Sequence, residues 1–276
     1  MYKITVLFLF AFASLPSMAQ DHWLVPQRFF YSIREMAYIR MDSLQKRIAS
    51  SEELPVNPIK TFLHYRPDGT IRSIEDLLPD PNRDSIALPL QEAGTHMIVL
   101  QESREPVTLL QDSLVKWLAS EDITGNLPNG ANGISPKKEI SIRVQESLKT
   151  LLQVSEVLTN ACTQPSKLLL DIIPEENPNA VPRPGWKEGP VMERFRILFK
   201  GKPLARAWVK VTYQIPGKGW QSIRLQTDKR GRIVAERHPG VYRISCAYWQ
   251  ASEKDPANAL DYYWGSLNFA YSQYFR

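Results

Sequence analysis

Cysteine, histidine and long apolar runs are all scarce in this chain of 276 residues. The longest apolar run covers residues 4–15, whereas a transmembrane helix needs roughly 20 apolar residues. No later stretch approaches that length, so we predict no transmembrane segment once this run is removed. The two cysteines, Cys162 and Cys246, cannot make a metal site alone.

Motifs of the common enzyme classes are also missing. The sequence has no Gly-x-Ser-x-Gly elbow, no His-Glu-x-x-His pair and no glycine-rich phosphate loop. The paired acids Glu52-Glu53 and Glu175-Glu176 lie in polar segments, where we expect them to face solvent. We therefore predict a protein that is not an enzyme.

Long basic runs are absent as well. The chain has 34 Lys and Arg against 29 Asp and Glu, a formal net charge of +5. No basic run is longer than Lys137-Lys138, and this pattern gives little support to nucleic-acid binding. We predict no nucleic-acid partner.

The first 19 residues have the pattern of a secretory signal peptide. Lys3 precedes the apolar run, and Ser17-Met18-Ala19 supplies the small residues of a cleavage site. Cleavage after Ala19 leaves Gln20 as the amino terminus of a periplasmic or secreted protein. In that oxidising compartment a disulfide between Cys162 and Cys246 is expected.

The rest of the sequence is mainly β in pattern. A small β-sandwich is predicted for 20–105, where "KTFLHYRPDGTIRSI" alternates around a Pro67-Asp68-Gly69 turn typical of a hairpin. A helical insertion is predicted for 106–160. There "VTLLQDSLVKWLASEDI" has one apolar helical face and "EISIRVQESLKTLLQVSEVL" is interpreted as a second helix.

Strand patterns return in 161–276. "TDKRGRI" followed by Pro239-Gly240 places a tight turn before a new strand. Such a run is common in secreted immunoglobulin-like or transthyretin-like sandwiches. We predict two such stacked β-sandwiches with the helical insertion between them.

Several segments occur together and in order: "QDHWLVP", "LLLDIIPEENPNAVPRPG", "RFRILFKGKPLARAWVKV", "TDKRGRI" and "YYWGSLNFAY". This combination resembles a domain-of-unknown-function family labelled a nickel-uptake, NikM-like, substrate-binding region. The resemblance implies a secreted or periplasmic β-sandwich protein that serves transition-metal uptake, with a metal-uptake transporter or another envelope protein as its partner. Family members usually begin the mature chain with a histidine, where this chain has Gln20. They often have another where this chain has Tyr248.

The mature amino terminus itself offers metal ligands. His22 stands third from the free amine of Gln20 if cleavage follows Ala19. The amine, the backbone amides of Asp21 and His22, and the His22 imidazole form a tetragonal set that suits Ni(II) and Cu(II). Cyclisation of Gln20 removes the amine donor, and in the other interpretation His22 merely begins the first strand.

His64 and His96 are weaker metal candidates. Both lie on predicted strands of the first sandwich and could meet there, and neutral imidazole is a common ligand. Strand histidines are more often hydrogen-bonded, half-buried residues, and His238 before Pro239 is interpreted as structural.

Two functions follow from these patterns. The first is an exported, non-enzymatic protein that binds or delivers Ni(II), Co(II) or Cu(II) for uptake. The alternative is an immunoglobulin-like envelope module that binds protein or carbohydrate through its loops or through its aromatic-rich carboxyl-terminal part.

Overall fold

A computed structural model describes residues 23–42, 59–77, 85–103, 106–120, 124–125, 138–180, 191–215 and 217–271. Within these ranges the chain is mainly β, as predicted, and its strands form three sheets. The predicted signal peptide (1–19) lies outside the described residues.

The largest sheet has eleven strands and draws on segments from both ends of the chain. Eight strands lie side by side in the order β15 (Gly219–Gln226), β14 (Trp208–Ile215), β17 (Gly240–Ala251), β18 (Ala259–Tyr271), β10 (Glu139–Val154), β7 (Gly94–Ser103), β4 (Ile59–Tyr65) and β5 (Ile71–Ser73). The short strands β2 (Phe30–Tyr31) and β8 (Val107–Leu110) pair with β10, and β9 (Thr124–Gly125) pairs with β17. β10 pairs with β18 on one side, in parallel, and with β7 on the other. Strands from the two predicted sandwich regions therefore belong to one sheet, with β10 between them.

Two smaller sheets cover opposite faces of the large one. The first contains β1 (Trp23–Pro26), β3 (Met36–Asp42) and β6 (Ser85–Pro89). The second contains β11 (Leu170–Pro174), β12 (Met192–Phe199), β13 (Lys202–Pro203) and β16 (Arg232–Glu236). Along β10, Leu148 and Leu152 belong to the core shared with the first sheet, whereas Leu151 belongs to the core shared with the second. Successive side chains of a strand point to opposite faces, so the two cores lie on opposite sides.

The helix α1 (Gln111–Ser120) covers one end of the large sheet. Leu114 and Leu118 lie four residues apart on one face of the helix. They form a third core with Ile140 and Ile142 of β10. This helix lies in the first half of region 106–160, for which a helical insertion was predicted. In the described part of the chain, no helix has the length and apolar character needed to cross a membrane.

The second predicted helix is wrong, because "EISIRVQESLKTLLQV" forms the long strand β10. Its last ten residues are all buried, since neighbouring layers cover both faces. A strand buried on both faces loses the alternation of apolar and polar residues. The nearly continuous burial therefore imitates the pattern of a buried helix.

The predicted hairpin around Pro67-Asp68-Gly69 is confirmed by the antiparallel pair β4 and β5. The carboxylate of Asp68 accepts hydrogen bonds from the backbone N–H of Thr70 at 2.9 Å and from its hydroxyl at 2.7 Å. Asp commonly stabilises turns in this way. The hairpin fixes the end of β4 that carries His64.

A buried ion pair connects the large sheet to β11. Nζ of Lys149 contacts Oδ1 of Asp171 and donates to the carbonyl of Ile172 at 3.0 Å. Oδ2 of Asp171 accepts the backbone N–H of Ser166 at 2.7 Å. The two charged side chains are only 1% and 2% exposed. Each therefore depends on the other for neutralisation.

Close approach of β11 to the large sheet also depends on Gly265 of β18. A Cβ atom at this position would lie 2.8 Å from Cγ of Leu170 and 3.0 Å from its carbonyl oxygen. Contacts below 3.4 Å are too close for ordinary van der Waals packing, so the absence of a side chain at Gly265 allows Leu170 to pack directly on β18.

Removing one member of the ion pair should destabilise the fold strongly. We expect Lys149→Met to lower the free energy of unfolding by about 3–5 kcal/mol, because the Asp171 charge is left buried without a partner. Lys149→Met combined with Asp171→Asn should recover part of that loss, since the amide oxygen still accepts from Ser166 and carries no charge. Urea unfolding at neutral pH measures both effects.

The exposed pair Arg72 and Asp76 provides the control, with side chains 63% and 64% exposed. Arg72→Met should change the free energy of unfolding by less than about 1 kcal/mol. A Lys149→Met variant as stable as Arg72→Met would contradict the role given to the buried pair.

Candidate functional site

The rings of His64 and His96 are in direct contact on neighbouring strands. The antiparallel register places His64 of β4 opposite Ile98 of β7, so His96 is its diagonal neighbour on the same face. Nε2 of His64 lies 2.8 Å from Nδ1 of His96. The two residues are 5% and 1% exposed. The structure therefore brings together these two weaker metal candidates, within one sheet.

The hydrogen-bond partners determine the tautomers of the pair. Nε2 of His96 lies 2.9 Å from the carbonyl oxygen of Glu92, which can only accept, so this nitrogen carries the proton. Nδ1 of His96 is then the acceptor, and Nε2 of His64 donates to it. This assignment leaves a lone pair on Nδ1 of His64. A metal-bound histidine usually has the same arrangement, with its other N–H fixed by an acceptor.

Both histidines are neutral at pH 7. Burial, followed by the charge effects of His96 and Arg66, lowers the pKa of His64 to about 3. Burial, followed by Arg66, lowers the pKa of His96 to about 4. The neutral ring is the form that binds metal ions.

The backbone around the pair is held by contacts between the hairpin and the start of β7. The guanidinium of Arg66 contacts the carboxylate of Glu92. Gly94 has φ of +134°, and a Cβ there would lie 2.5 Å from Cβ of Pro67. A larger residue would thus separate the hairpin from β7. This close packing keeps His64 and His96 adjacent.

With these tautomers the pair offers one free side-chain donor, Nδ1 of His64. Within the described ranges, no group of three or more His, Cys, Asp and Glu residues is close enough together to hold a metal ion. A complete site at His64 therefore needs additional ligands from elsewhere.

The predicted amino-terminal ligands lie outside the described residues: Gln20, Asp21 and His22. The first described residue, Trp23, packs edge to face on Trp264, with ring centroids 6.3 Å apart. On β10, Glu146 pairs with Trp264, and Leu152, six residues further along the strand, pairs with His96. Six residues of strand span roughly 20 Å. The start of β1 at Trp23 is therefore distant from the histidine pair.

The predicted disulfide is wrong, because Cys162 and Cys246 are free and buried. Cys162 lies in a 3-10 turn (Ala161–Thr163) packed against β7, whereas Cys246 lies on β17. β7 is three strands away from β17, roughly 14 Å at the usual strand spacing. Disulfides need Cα atoms within about 7 Å. Burial also raises the pKa of both thiols to about 12.

The carboxyl-terminal aromatic residues form core rather than a binding platform. Five of the eight are buried: Trp249, Tyr262, Tyr263, Phe269 and Tyr271. Trp264 is partly buried, while Tyr274 and Phe275 lie outside the described residues. Among the tryptophans whose burial the structure describes, Trp208 on β14 and Trp220 on β15 are exposed, at 43% and 46%. Sequence reasoning missed this pair, although the alternation of "WVKVTYQI" places Trp208 opposite the inward-facing valines.

A cleft of about 480 Å³ lies between β15 and β16. Its charged lining consists of Glu175, Arg194, Asp228 and Arg232. Nε of Arg232 donates to Oε1 of Glu175 at 2.6 Å, while Oδ1 of Asp228 accepts two backbone N–H groups of its own turn. The bonds to Asp228 stabilise the turn before β16, and the lining of the cleft mixes both charges.

Free, buried thiols should be detectable chemically. Without reductant, we expect a chromogenic thiol reagent to label no cysteine in the native protein and both Cys162 and Cys246 after unfolding in guanidinium. The native thiols are protected because they are buried and their pKa is high. If neither cysteine is labelled after unfolding, the two thiols are joined in a disulfide and the assignment of free cysteines is wrong.

The histidine pair should make stability fall in mild acid. The unfolded histidines titrate near pH 6.5, whereas the folded pair stays neutral down to about pH 4 and 3. Protonation therefore favours the unfolded state increasingly as the pH falls below about 6.5, by up to about 1.4 kcal/mol per pH unit for each histidine.

Urea unfolding between about pH 7 and pH 5 measures this slope. The variant His64→Gln/His96→Gln should have a shallower slope, since the titrating groups common to both proteins cancel in the comparison. Equal slopes in the two proteins would show that the pair does not resist protonation.

The comparisons with known proteins identify the family. A domain of unknown function, DUF4198, matches residues 17–249, which is most of the chain. No curated protein matches it. A DUF4785 family protein from Legionella pneumophila, known from a crystal structure, has 9% sequence identity, and the match covers 81% of this chain and 52% of that one with a TM-score of 0.25. This chain thus spans about half the length of that protein, and so low a TM-score does not establish a common fold. By the family match, the chain belongs to the DUF4198 family, a domain of unknown function.

Proposed function

We propose that this protein is exported and that, without catalysing a reaction, it binds a divalent transition metal, nickel, cobalt or copper, for uptake. The contact between the buried, neutral rings of His64 and His96 carries the proposal. Burying two imidazoles against each other favours the form that coordinates metals.

Nδ1 of His64 is the donor that this arrangement offers. His96 acts as a positioning residue, because it accepts from Nε2 of His64 and is itself fixed by the carbonyl of Glu92. Residues that orient a metal ligand through a hydrogen bond commonly change metal affinity 10–100-fold. The resemblance to the nickel-uptake, NikM-like region supports the same class of ligand, and a metal-uptake transporter is the proposed partner.

The mature amino terminus provides a separate proposed site. There Gln20, Asp21 and His22 would hold Ni(II) or Cu(II) through nitrogen donors, and affinity should increase with pH as the amides lose protons. The signal peptide and the two-sandwich arrangement belong to the same proposal. The arrangement is supported by the two small sheets that face the large one.

Titration of the processed protein with Ni(II), Co(II) and Cu(II) tests the two sites separately. Intact mass first establishes that the chain starts at an uncyclised Gln20. We expect His22→Ala to remove the binding that strengthens with pH. We expect His64→Ala to abolish the second binding event, and His96→Ala to weaken it 10–100-fold.

His238→Ala is the matched control, because its ring stacks on Tyr213 with centroids 4.7 Å apart and belongs to neither site. It should bind all three metals like the wild type. The proposal fails if the wild type binds none of them, or if the His22 and His64 variants bind as tightly as the control.

A second candidate function is an immunoglobulin-like envelope module that binds protein or carbohydrate. The exposure of Trp208 and Trp220 on neighbouring strands specifically favours it. Large exposed aromatic residues are often part of binding surfaces. In this candidate the binding residues lie on β14 and β15, since the described carboxyl-terminal aromatic residues are largely core.

A further inference from the structure

We propose that the exposed face of β14 and β15 binds an acidic polysaccharide. This inference goes beyond metal binding and rests on the second candidate function, for which it names the surface and the ligand class. We call this surface the tryptophan face. It consists of Trp208, Lys210, Thr212, Gln214, Trp220, Ser222, Arg224 and Gln226.

The antiparallel register arranges these side chains in pairs. Lys210 is directly opposite Arg224, and Thr212 is opposite Ser222, with their hydroxyl oxygens 3.4 Å apart. Residues directly opposite in a ladder point to the same face. Two cations and two hydroxyls therefore lie side by side in the middle of the tryptophan face.

The two tryptophans stand at opposite ends of this row. Trp208 pairs with Gln226, and Trp220 pairs with Gln214. Six residues of strand separate the two positions, roughly 20 Å. A linear chain of several sugar rings can reach from one indole to the other and pass over the cations between them.

A third cation lies beside the second tryptophan. The guanidinium of Arg243 on β17 is 4.7 Å from the ring centroid of Trp220 and 5.6 Å from that of Trp23. Cation–π contacts of this length help to hold an exposed indole in one orientation. Trp220 is therefore partly preorganised at the surface.

Carboxylates are absent from the sequences of the strands that build this region. β14, β15 and β17 contain no Asp or Glu. Residues 193–243 contain 13 Lys and Arg against 3 Asp and Glu, a net charge of +10, whereas the whole chain carries +5. Lys210 and Arg224 lie on the tryptophan face and Arg243 lies beside it, and these three members of the set attract an anionic ligand.

Among the described residues, the other layers do not cover the outward face of β14 and β15. The three-stranded sheet packs on the same side of the large sheet, but over β4, β7, β10 and β18, and α1 covers the far ends of β10, β17 and β18. Trp208, Trp220 and Arg224 remain exposed on the outermost two strands. The tryptophan face is therefore accessible to a long polymer.

The chemistry favours an acidic glycan over the other polymers. Indole rings stack on the apolar faces of sugars, hydroxyl and amide side chains match sugar hydroxyls, and the cations match uronate carboxylates. Single-stranded nucleic acid also binds surfaces with interleaved aromatic and basic residues. The proposed export of the chain favours the glycan.

Calorimetric titration of the processed protein with a polygalacturonate oligomer tests the proposal. The double variant Trp208→Ala/Trp220→Ala keeps the charge, and we expect it to weaken binding at least tenfold. We expect Lys210→Gln/Arg224→Gln to weaken it to a similar extent and to reduce its dependence on salt. Urea unfolding first establishes that each variant is folded.

Matched controls separate this surface from general charge and aromatic effects. Tyr38→Ala removes an aromatic residue that is 48% exposed on the three-stranded sheet. Lys116→Gln/Lys254→Gln removes two exposed positive charges outside the tryptophan face. Both variants should bind polygalacturonate within about twofold of the wild type.

Four results would overturn the proposal: no binding by the wild type, unchanged binding by the tryptophan variant, equal binding of neutral dextran, or tighter binding of a thymidine oligonucleotide. The metal titrations use different residues. Loss of metal binding with polygalacturonate binding intact would therefore refute only the metal function, and the reverse result would refute only this inference.

Discussion

The burial of β10 on both faces is the constraint on which the rest of the structure depends. Alternate residues of this strand supply two separate cores, with Leu148 and Leu152 on one side and Leu151 on the other. The same strand carries Lys149, whose charge must be neutralised by Asp171 because no solvent reaches it. β10 therefore fixes both the layer order and the position of β11. Through its pairing with β7, it also supports the strand that carries His96.

Local chemistry predicted some elements well. The Pro67-Asp68-Gly69 hairpin could be predicted because Asp68 satisfies the backbone of its own turn, without help from distant residues. β10 could not be predicted, because its apolar pattern reflects burial by the two small sheets on its opposite faces. The local sequence does not show that these sheets pack there. The predicted disulfide failed for a similar reason: Cys162 packs against β7 and Cys246 lies on β17, and the sequence does not show that two other strands lie between β7 and β17.

The two proposed binding sites differ in how far the sequence reveals them. The sequence predicts that His64 and His96 lie on strands, but their contact depends on the register of β4 against β7. The tryptophan face combines residues whose strands alternate visibly, as in "WVKVTYQI" and "GWQSIRLQ". The net charge of the whole chain does not reveal the basic residues of this face, because the acidic residues lie mostly in other segments. Buried neutral imidazoles and an open basic sheet suit ligands of different size and charge.

The parallel pairing of β10 with β18 also has a consequence for the order of folding. β18 is the last described strand, yet it lies between β10 and β17 near the middle of the large sheet. Contacts between residues over a hundred positions apart form slowly, because a long loop must close first. A chain synthesised from its amino end cannot complete this sheet until residues 259–271 have emerged. The amino-terminal strands thus remain without their central neighbour until residues 259–271 have been synthesised, and the large sheet cannot close before then.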